Sequence, residues 1–460
     1  VNLFFRIAVL FSFFLSGLRA ENGLHRHIVV FVPAYEGSQL VDPNLSGAPC
    51  VWGSADAIRR QELYWAIRLP NALTARPMLR AGPLDVYGSF VSALTQPNAR
   101  WPKFSPYTDG KDFRYFSYDW RQEIATESAP ALGRALESYA KEMAEWTHQP
   151  EAQIKFVIVA HSMGGLVART LLSQQPRLAD RVERLYLVGT PNLGSVKAVK
   201  TLLVGPGGLR ENPVSGLLGW LAGLLPNDVK TSTTKLVAIT RPSLWELLPF
   251  EDPGWEMEDD LGRSSRVAAA DILKVSTWQR YWPSAELERQ EYLEPWRDRF
   301  MGGAGEPAEG KNWEFCQDTE MGQLQRILAA VREWRLSLGK LSYTDQLLTR
   351  PGGASRLRLA VGTGLQTPTG VISSGRGDDT KVRYLFGADG DGDGTVLAAS
   401  VEEDLKNPAQ IVRLPKATHG QLLTAPEFLN QLQRDLTEMD PEPLFRGPEP
   451  IIRGDESTVP

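Results

Sequence analysis

The stretch Phe156-Val-Ile-Val-Ala-His-Ser-Met-Gly-Gly-Leu166 constrains this chain more than any other. Four apolar residues run into a small one, a serine follows at once, and helical spacing begins behind it. A buried strand that turns directly into a helix leaves its turn residue exposed at the carboxyl edge of a sheet. Ala160 and Gly164 stand two before and two after Ser162. That is the spacing of the G-x-S-x-G nucleophile elbow, with alanine at the first small position. Small residues are needed there because neighbouring backbone packs against the turn. The pattern points to Ser162 as a nucleophile. It also points to the backbone N–H of Met163, at the positive end of the following helix, as a donor to a developing oxyanion. The competing reading is a plain small-residue turn between strand and helix.

The rest of the chain supplies the sheet that such an elbow needs. Strand patterns are expected over His27–Val32, Phe113–Tyr118, Ile154–Ala160, Arg184–Gly189, Arg356–Val361, Val382–Phe386 and Gln410–Leu414, with helical spacing over 129–147, 164–173, 321–338 and 427–439. Strand, helix, strand in succession predicts an α/β fold with a mostly parallel central sheet and right-handed crossovers. The chain divides into a first core part (24–200) carrying an irregular insertion at 41–110, a cap or lid insertion at 201–355, a second core part at 356–440, and a Pro-rich tail at 441–460. The middle third is Trp-rich and holds an apolar segment, Gly216–Leu225; tryptophan suits a lipid-facing surface or a packed interior equally.

A serine nucleophile needs a base, and the chain has five histidines. His25 and His27 enter the first strand, His148 lies in a polar turn, and His161 is adjacent to the nucleophile, where elbow geometry turns neighbouring side chains apart. His419 follows the last strand, where an α/β sheet presents its functional loops. The acid must lie between Ser162 and His419 in sequence. The run Phe386-Gly-Ala-Asp-Gly-Asp-Gly-Asp-Gly-Thr-Val396 offers Asp389, Asp391 and Asp393. Asp393 is the first choice and Asp391 the second. The same run matches the first half of a calcium loop, but Ser400 stands where a bidentate glutamate is required. No cofactor and no metal are expected.

These groups read as a Ser162–His419–Asp393 triad that passes through an acyl-enzyme. The net charge of −5 and the lack of a basic stripe argue against nucleic acid. Leu3–Leu15 is apolar and small residues follow, so a signal peptide ending near Ala20 and an exported, secreted or periplasmic protein are expected. Cys50 and Cys316 are the two cysteines, and export would permit them to pair.

Several further segments carry a resemblance: Val32-Pro-Ala-Tyr-Glu-Gly-Ser-Gln-Leu40, Tyr118-Asp-Trp-Arg121, Gly189-Thr-Pro-Asn-Leu-Gly-Ser195, Ser243-Leu-Trp-Glu-Leu-Leu-Pro249, Gly362-Thr-Gly-Leu-Gln-Thr-Pro368 and Gly392-Asp-Gly-Thr-Val396. Together with the elbow and His419, they resemble the lecithin:cholesterol acyltransferase family of α/β-hydrolases. The resemblance implies the same triad, an oxyanion hole from the backbone N–H groups of Glu36 and Met163, a mobile lid, and a lipid-contacting region soon after the first strand. It implies a phospholipid or other lipid ester as donor, a lipid or membrane surface as partner, and an alcohol as acyl acceptor. The alternatives are an esterase or phospholipase with water as the only acceptor, or a non-catalytic lipid-binding protein. The chain departs from the family in having Ala34 after the first-strand proline and no second cysteine near Cys50. For Tyr118–Arg121 a structural role is expected, with Arg121 paired to a carboxylate and Trp120 packed under the cleft.

Overall fold

The computed structural model describes residues 25, 27–54, 57, 67, 72–101, 104–205, 231–283 and 320–439. The expected signal segment, the Gly216–Leu225 segment, Cys316 and the tail lie outside them. Cys50 is half-buried and its thiol donates to the Trp52 carbonyl at 2.9 Å.

The elements that position the site, in chain order, are strands β1 (His27–Val32), β2 (Phe113–Tyr115), β3 (Lys155–His161), β4 (Val182–Val188), β5 (Trp255–Glu258), β6 (Ser264–Arg266), β7 (Leu357–Thr363), β8 (Gly370–Ser374), β9 (Lys381–Leu385) and β10 (Ile411–Pro415). The helices are α1 (Gly88–Thr95), α2 (Ala129–Thr147), α3 (Met163–Gln174), α4 (Val196–Val204), α5 (Pro242–Glu246), α6 (Glu320–Leu338) and α7 (Pro426–Met439). The core sheet runs β10-β7-β4-β3-β1-β2, every neighbouring pair parallel. A parallel sheet needs cover on both faces, and the near-continuous apolar runs of β1 and β3 supply both. Ile28, Val30 and Val32 face the core that holds Leu132, Leu136 and Met143 of α2 and Leu166 of α3. Val29 and Phe31 point the other way, onto Phe90 and Leu94 of α1 and Phe428 and Leu432 of α7.

A second sheet, in the order β6-β5-β8-β9, shares no strand with the core sheet, although Trp255 and Val371 join the same hydrophobic core. Its β5 pairs in parallel with β8, while β6 and β9 are antiparallel edges. Strand character over Val382–Phe386 is therefore present at Lys381–Leu385, but it belongs to this sheet and not to the core. The cause is partner choice: Gly370–Ser374 pairs with Trp255–Met257 across 115 residues of chain, which no local pattern announces. The line drawn between 355 and 356 is thus crossed by paired strands.

Among the described residues, three tryptophans of this region are packed in the interior. Trp245 and Trp255 are buried and both pack on Trp278, the first edge-to-face at a centroid distance of 4.8 Å and the second tilted at 4.9 Å. The 41–110 segment is less irregular than expected: Ser38–Val41 pairs with Cys50–Trp52 and with Thr74–Pro77, and α1 follows.

Candidate active site

Ser162 sits between β3 and α3 with φ 52° and ψ −124°, a conformation that costs an L residue about 1–3 kcal/mol and persists only where its surroundings enforce it. Its N–H donates to the Val188 carbonyl at 2.8 Å, which ties the elbow to the end of β4. Gly164 allows the close packing predicted for it, because a Cβ there would lie 2.4 Å from the Val32 carbonyl oxygen. The end of β1 therefore lies directly against the first turn of α3. Met163 opens that helix and is buried, so its N–H is one of the first-turn donors that helical geometry leaves unpaired.

His419 and Asp393 meet. Nδ1 of His419 lies 2.7 Å from Oδ2 of Asp393, and the His419 N–H donates to the Asp393 carbonyl at 3.0 Å. The carboxylate is buried, and its other oxygen accepts the N–H groups of Thr395 at 2.8 Å and Val396 at 2.7 Å. Burial pushes the Asp393 carboxyl upward, but His419 and these backbone donors outweigh it and hold the group below its usual range. Asp391 is exposed and accepts the Gly364 N–H instead, so it is not the partner of His419. The His419 ring lies over Gly189, where a Cβ would stand 3.2 Å from Nδ1 and Cε1. Gly189 follows Val188, the residue that accepts from Ser162, so the imidazole reaches the strand ends flanking the serine.

His161 departs from the expectation that it faces away from the site. Its ring centroid is 4.9 Å from that of His419. Nε2 of His161 lies 3.1 Å from the His419 carbonyl oxygen, and Nδ1 lies 3.1 Å from the Tyr87 hydroxyl. That hydroxyl also accepts the Ala34 N–H at 3.2 Å. Burial, reinforced by His419, pushes the His161 imidazole down to about 3, so it is neutral. A neutral ring facing a carbonyl must carry its proton on Nε2, so Nδ1 accepts from Tyr87. One chain of hydrogen bonds thus links the turn after β1, the elbow and the His419 loop. The sequence held no signal for Tyr87, which lies in the stretch without periodicity.

Glu36 occupies the third position of a tight turn closed by the Gly37 N–H on the Ala34 carbonyl at 2.9 Å. Its φ is 60° and its side chain is buried. The Tyr118–Arg121 segment supports this turn. The Tyr118 hydroxyl donates to the Pro33 carbonyl at 2.9 Å, and the Trp120 indole donates to the Ser38 carbonyl at 3.1 Å. Arg121 grips Asp119 with Nε at 2.8 Å and Nη2 at 2.6 Å, the structural role expected of it.

The comparisons with known proteins bear on this geometry. Residues 103–208, which contain Tyr118–Arg121, the elbow and Gly189–Ser195, match the family described as Lecithin:cholesterol acyltransferase. The chain is also similar in fold to the crystal structure of the Tle4–Tli4 complex, with a TM-score of 0.58 at 12% identity, over 90% of this chain and 99% of that one. The family match covers only the stretch that carries the elbow, and the likeness to that structure is one of fold alone. A Bacillus licheniformis lipase, BlEst2 in mature form, aligns over 89% of this chain and 91% of its own at 11% identity, with a TM-score of 0.29. No curated protein matches the sequence. The family match supports an enzyme of the lipid acyl esterase or acyltransferase class.

One further group stands beside Asp393. Lys197 Nζ, on the first turn of α4, donates to the Thr395 hydroxyl at 2.9 Å. Burial pushes its ammonium down to about 8 against the pull of Asp393. The Gly189–Ser195 segment stops two residues short of it, which is why the motif alone did not mark it.

Proposed function

We propose that this protein is a serine-dependent O-acyltransferase or lipase acting on phospholipid or other lipid esters. In this reading His419 takes the Ser162 hydroxyl proton and Ser162 attacks the ester carbonyl. Asp393 holds the imidazole in the tautomer with its proton on Nδ1 and stabilises the cation that forms. The N–H groups of Glu36 and Met163 receive the oxyanion. The alcohol leaves with the proton from His419, and the acyl-enzyme is then released to water or to an acceptor alcohol. The observation that carries the proposal is the Asp393–His419 pair at 2.7 Å, seated over the strand end that accepts the Ser162 N–H. A retired, lipid-binding hydrolase would have no need to keep a buried carboxylate oriented on a largely buried imidazole. Export and work at a lipid surface belong to the same proposal.

The test has two arms. A fluorophosphonate should label wild-type protein and leave Ser162→Ala unlabelled; a folded wild-type chain that resists labelling removes the nucleophile. A single defined phospholipid, with and without a lipid alcohol, should give an acylated alcohol. Free fatty acid alone would leave the hydrolase and remove the transferase.

A further inference from the structure

Glu36 is an unexpected residue for its place. Its backbone lies in the left-handed region that favours glycine, and its carboxylate is buried. Two groups of the turn are gripped by one guanidinium. Nη1 of Arg241 donates to the Tyr35 hydroxyl at 2.7 Å and to Oε1 of Glu36 at 3.2 Å. Arg241 is fully buried, with its guanidinium carbon 5.0 Å from the centre of the Trp120 ring. It immediately precedes α5, whose Ser243 hydroxyl donates to the Trp120 carbonyl at 2.6 Å.

A buried ion pair is seldom a device for stability, because desolvating two charges offsets their attraction. Here the imbalance is visible. Burial raises the Glu36 carboxyl to about 7 even with Arg241 beside it, and Oε2 is buried without a hydrogen-bond partner. A carboxylate left half satisfied is not placed for its own comfort. What the pair does achieve is geometric: it anchors both central residues of the turn from a segment 205 residues away.

We propose that Arg241 is the positioning residue of the oxyanion turn, holding the Glu36 peptide so that its N–H meets the reacting carbonyl oxygen. This rests on the function proposed above. A displaced donor weakens binding of the oxyanion far more than binding of the neutral ester, so the loss falls on kcat. Removing an oxyanion donor outright costs about 10²–10³ in kcat, which sets the upper bound for displacing one.

The experiment uses the full chain and a soluble p-nitrophenyl ester, with kcat, KM and Tm measured for Arg241→Met, Arg241→Lys, Glu36→Gln and the double variant of Arg241→Met with Glu36→Gln. The expected result is a kcat lowered roughly 10- to 100-fold by either single change, KM within about twofold, and no further loss in the double variant. Arg241→Lys should recover part of the loss. Glu36→Gly should retain more kcat than Glu36→Ala, because glycine holds the turn without an anchor. Unchanged kcat in folded Arg241→Met and Glu36→Gln overturns the proposal, as does a loss shared by kcat and KM. Should Arg241→Met fail to fold, Glu36→Gln removes the charge without changing shape and decides alone. A wild-type chain that neither turns over ester nor reacts with fluorophosphonate would instead sink the function beneath it.

Discussion

Ser162 and Glu36 sit on neighbouring loops, both at positive φ and neither a glycine, yet they are held by opposite means. The serine is held by its own neighbourhood in sequence: the strand before it, the helix after it, and Gly164, which lets β1 approach. The glutamate is held from afar, by Tyr118, Trp120 and Arg241. Similar backbone strain can thus be announced by a local motif, even where Val188 and Val32 complete its support, or depend on side chains more than two hundred residues away. The difference decides what each region tolerates. The elbow should respond to changes inside its own motif, and the turn to changes nowhere near it in sequence.

The largest expected effect lies at the elbow. Ser162→Ala should lower turnover by at least about 10⁴-fold, by analogy with other serine triads. Tm should stay within a few degrees, since alanine bears the same strain and the helix behind it is unchanged. Substantial residual turnover would remove Ser162 from its role. Next comes Gly164→Ala, whose Cβ would lie 2.4 Å from the Val32 carbonyl oxygen. Overpacking of this kind costs about 1–3 kcal/mol, and differential scanning calorimetry should register it as a lowered Tm. Because the clash pushes on the residues leading into the Glu36 turn, kcat should fall as well. A tolerated alanine would separate the two loops that the structure joins.

Tyr87→Phe comes third. It deletes one hydroxyl that accepts from Ala34 and donates to His161, and it leaves the ring packed against Phe31 at 4.8 Å. A loss of about 1 kcal/mol in a urea titration is expected, with a kcat roughly tenfold lower because the hydroxyl serves both loops. An unaltered kcat would reduce the chain of hydrogen bonds to scaffolding.

The smallest effect is a pair of opposed pH slopes. His161 is held at about 3, below its ordinary 6.5. The unfolded chain therefore takes up its proton first, and the contribution of His161 is lost as pH falls from about 6.5 toward 3. Glu36 is raised to about 7 from 4.5, so the folded state holds that proton longer and the cost of its charge is relieved as pH falls from about 7 to 4.5. Between pH 6.5 and 4.5 the two act against each other. Urea midpoints of His161→Gln and Glu36→Gln, each referred to wild type, should therefore drift in opposite directions across that window. A common direction would mean that one of the two environments is misjudged.

The same contrast explains what was legible in the sequence. The elbow, α2, α3 and the core strands are spelled by local periodicity, and they form within a few residues of where the pattern puts them. Elimination from a small set singles out His419, and chain order and spacing single out Asp393; a loop after a strand narrows the candidates, and the two side chains meet. Tyr87, Arg241 and Lys197 could not be reached in this way. Each lies outside the sequence motifs, and each meets its partners only when distant segments pack together. His161 was misjudged for a related reason. Its direction at the elbow is local, but the Tyr87 hydroxyl and the His419 carbonyl that it bridges are not.

The pairing of Trp255–Met257 with Val371–Ser373 has a practical consequence for anyone who would exchange segments between relatives. The second sheet cannot be lifted out as one length of chain. A transplant of 201–355 alone would carry β5 away from β8 and β9, leaving an open sheet edge on the donor and a mismatched one on the recipient. A working chimera must move two separated stretches as a unit, with β7 of the host threaded between them.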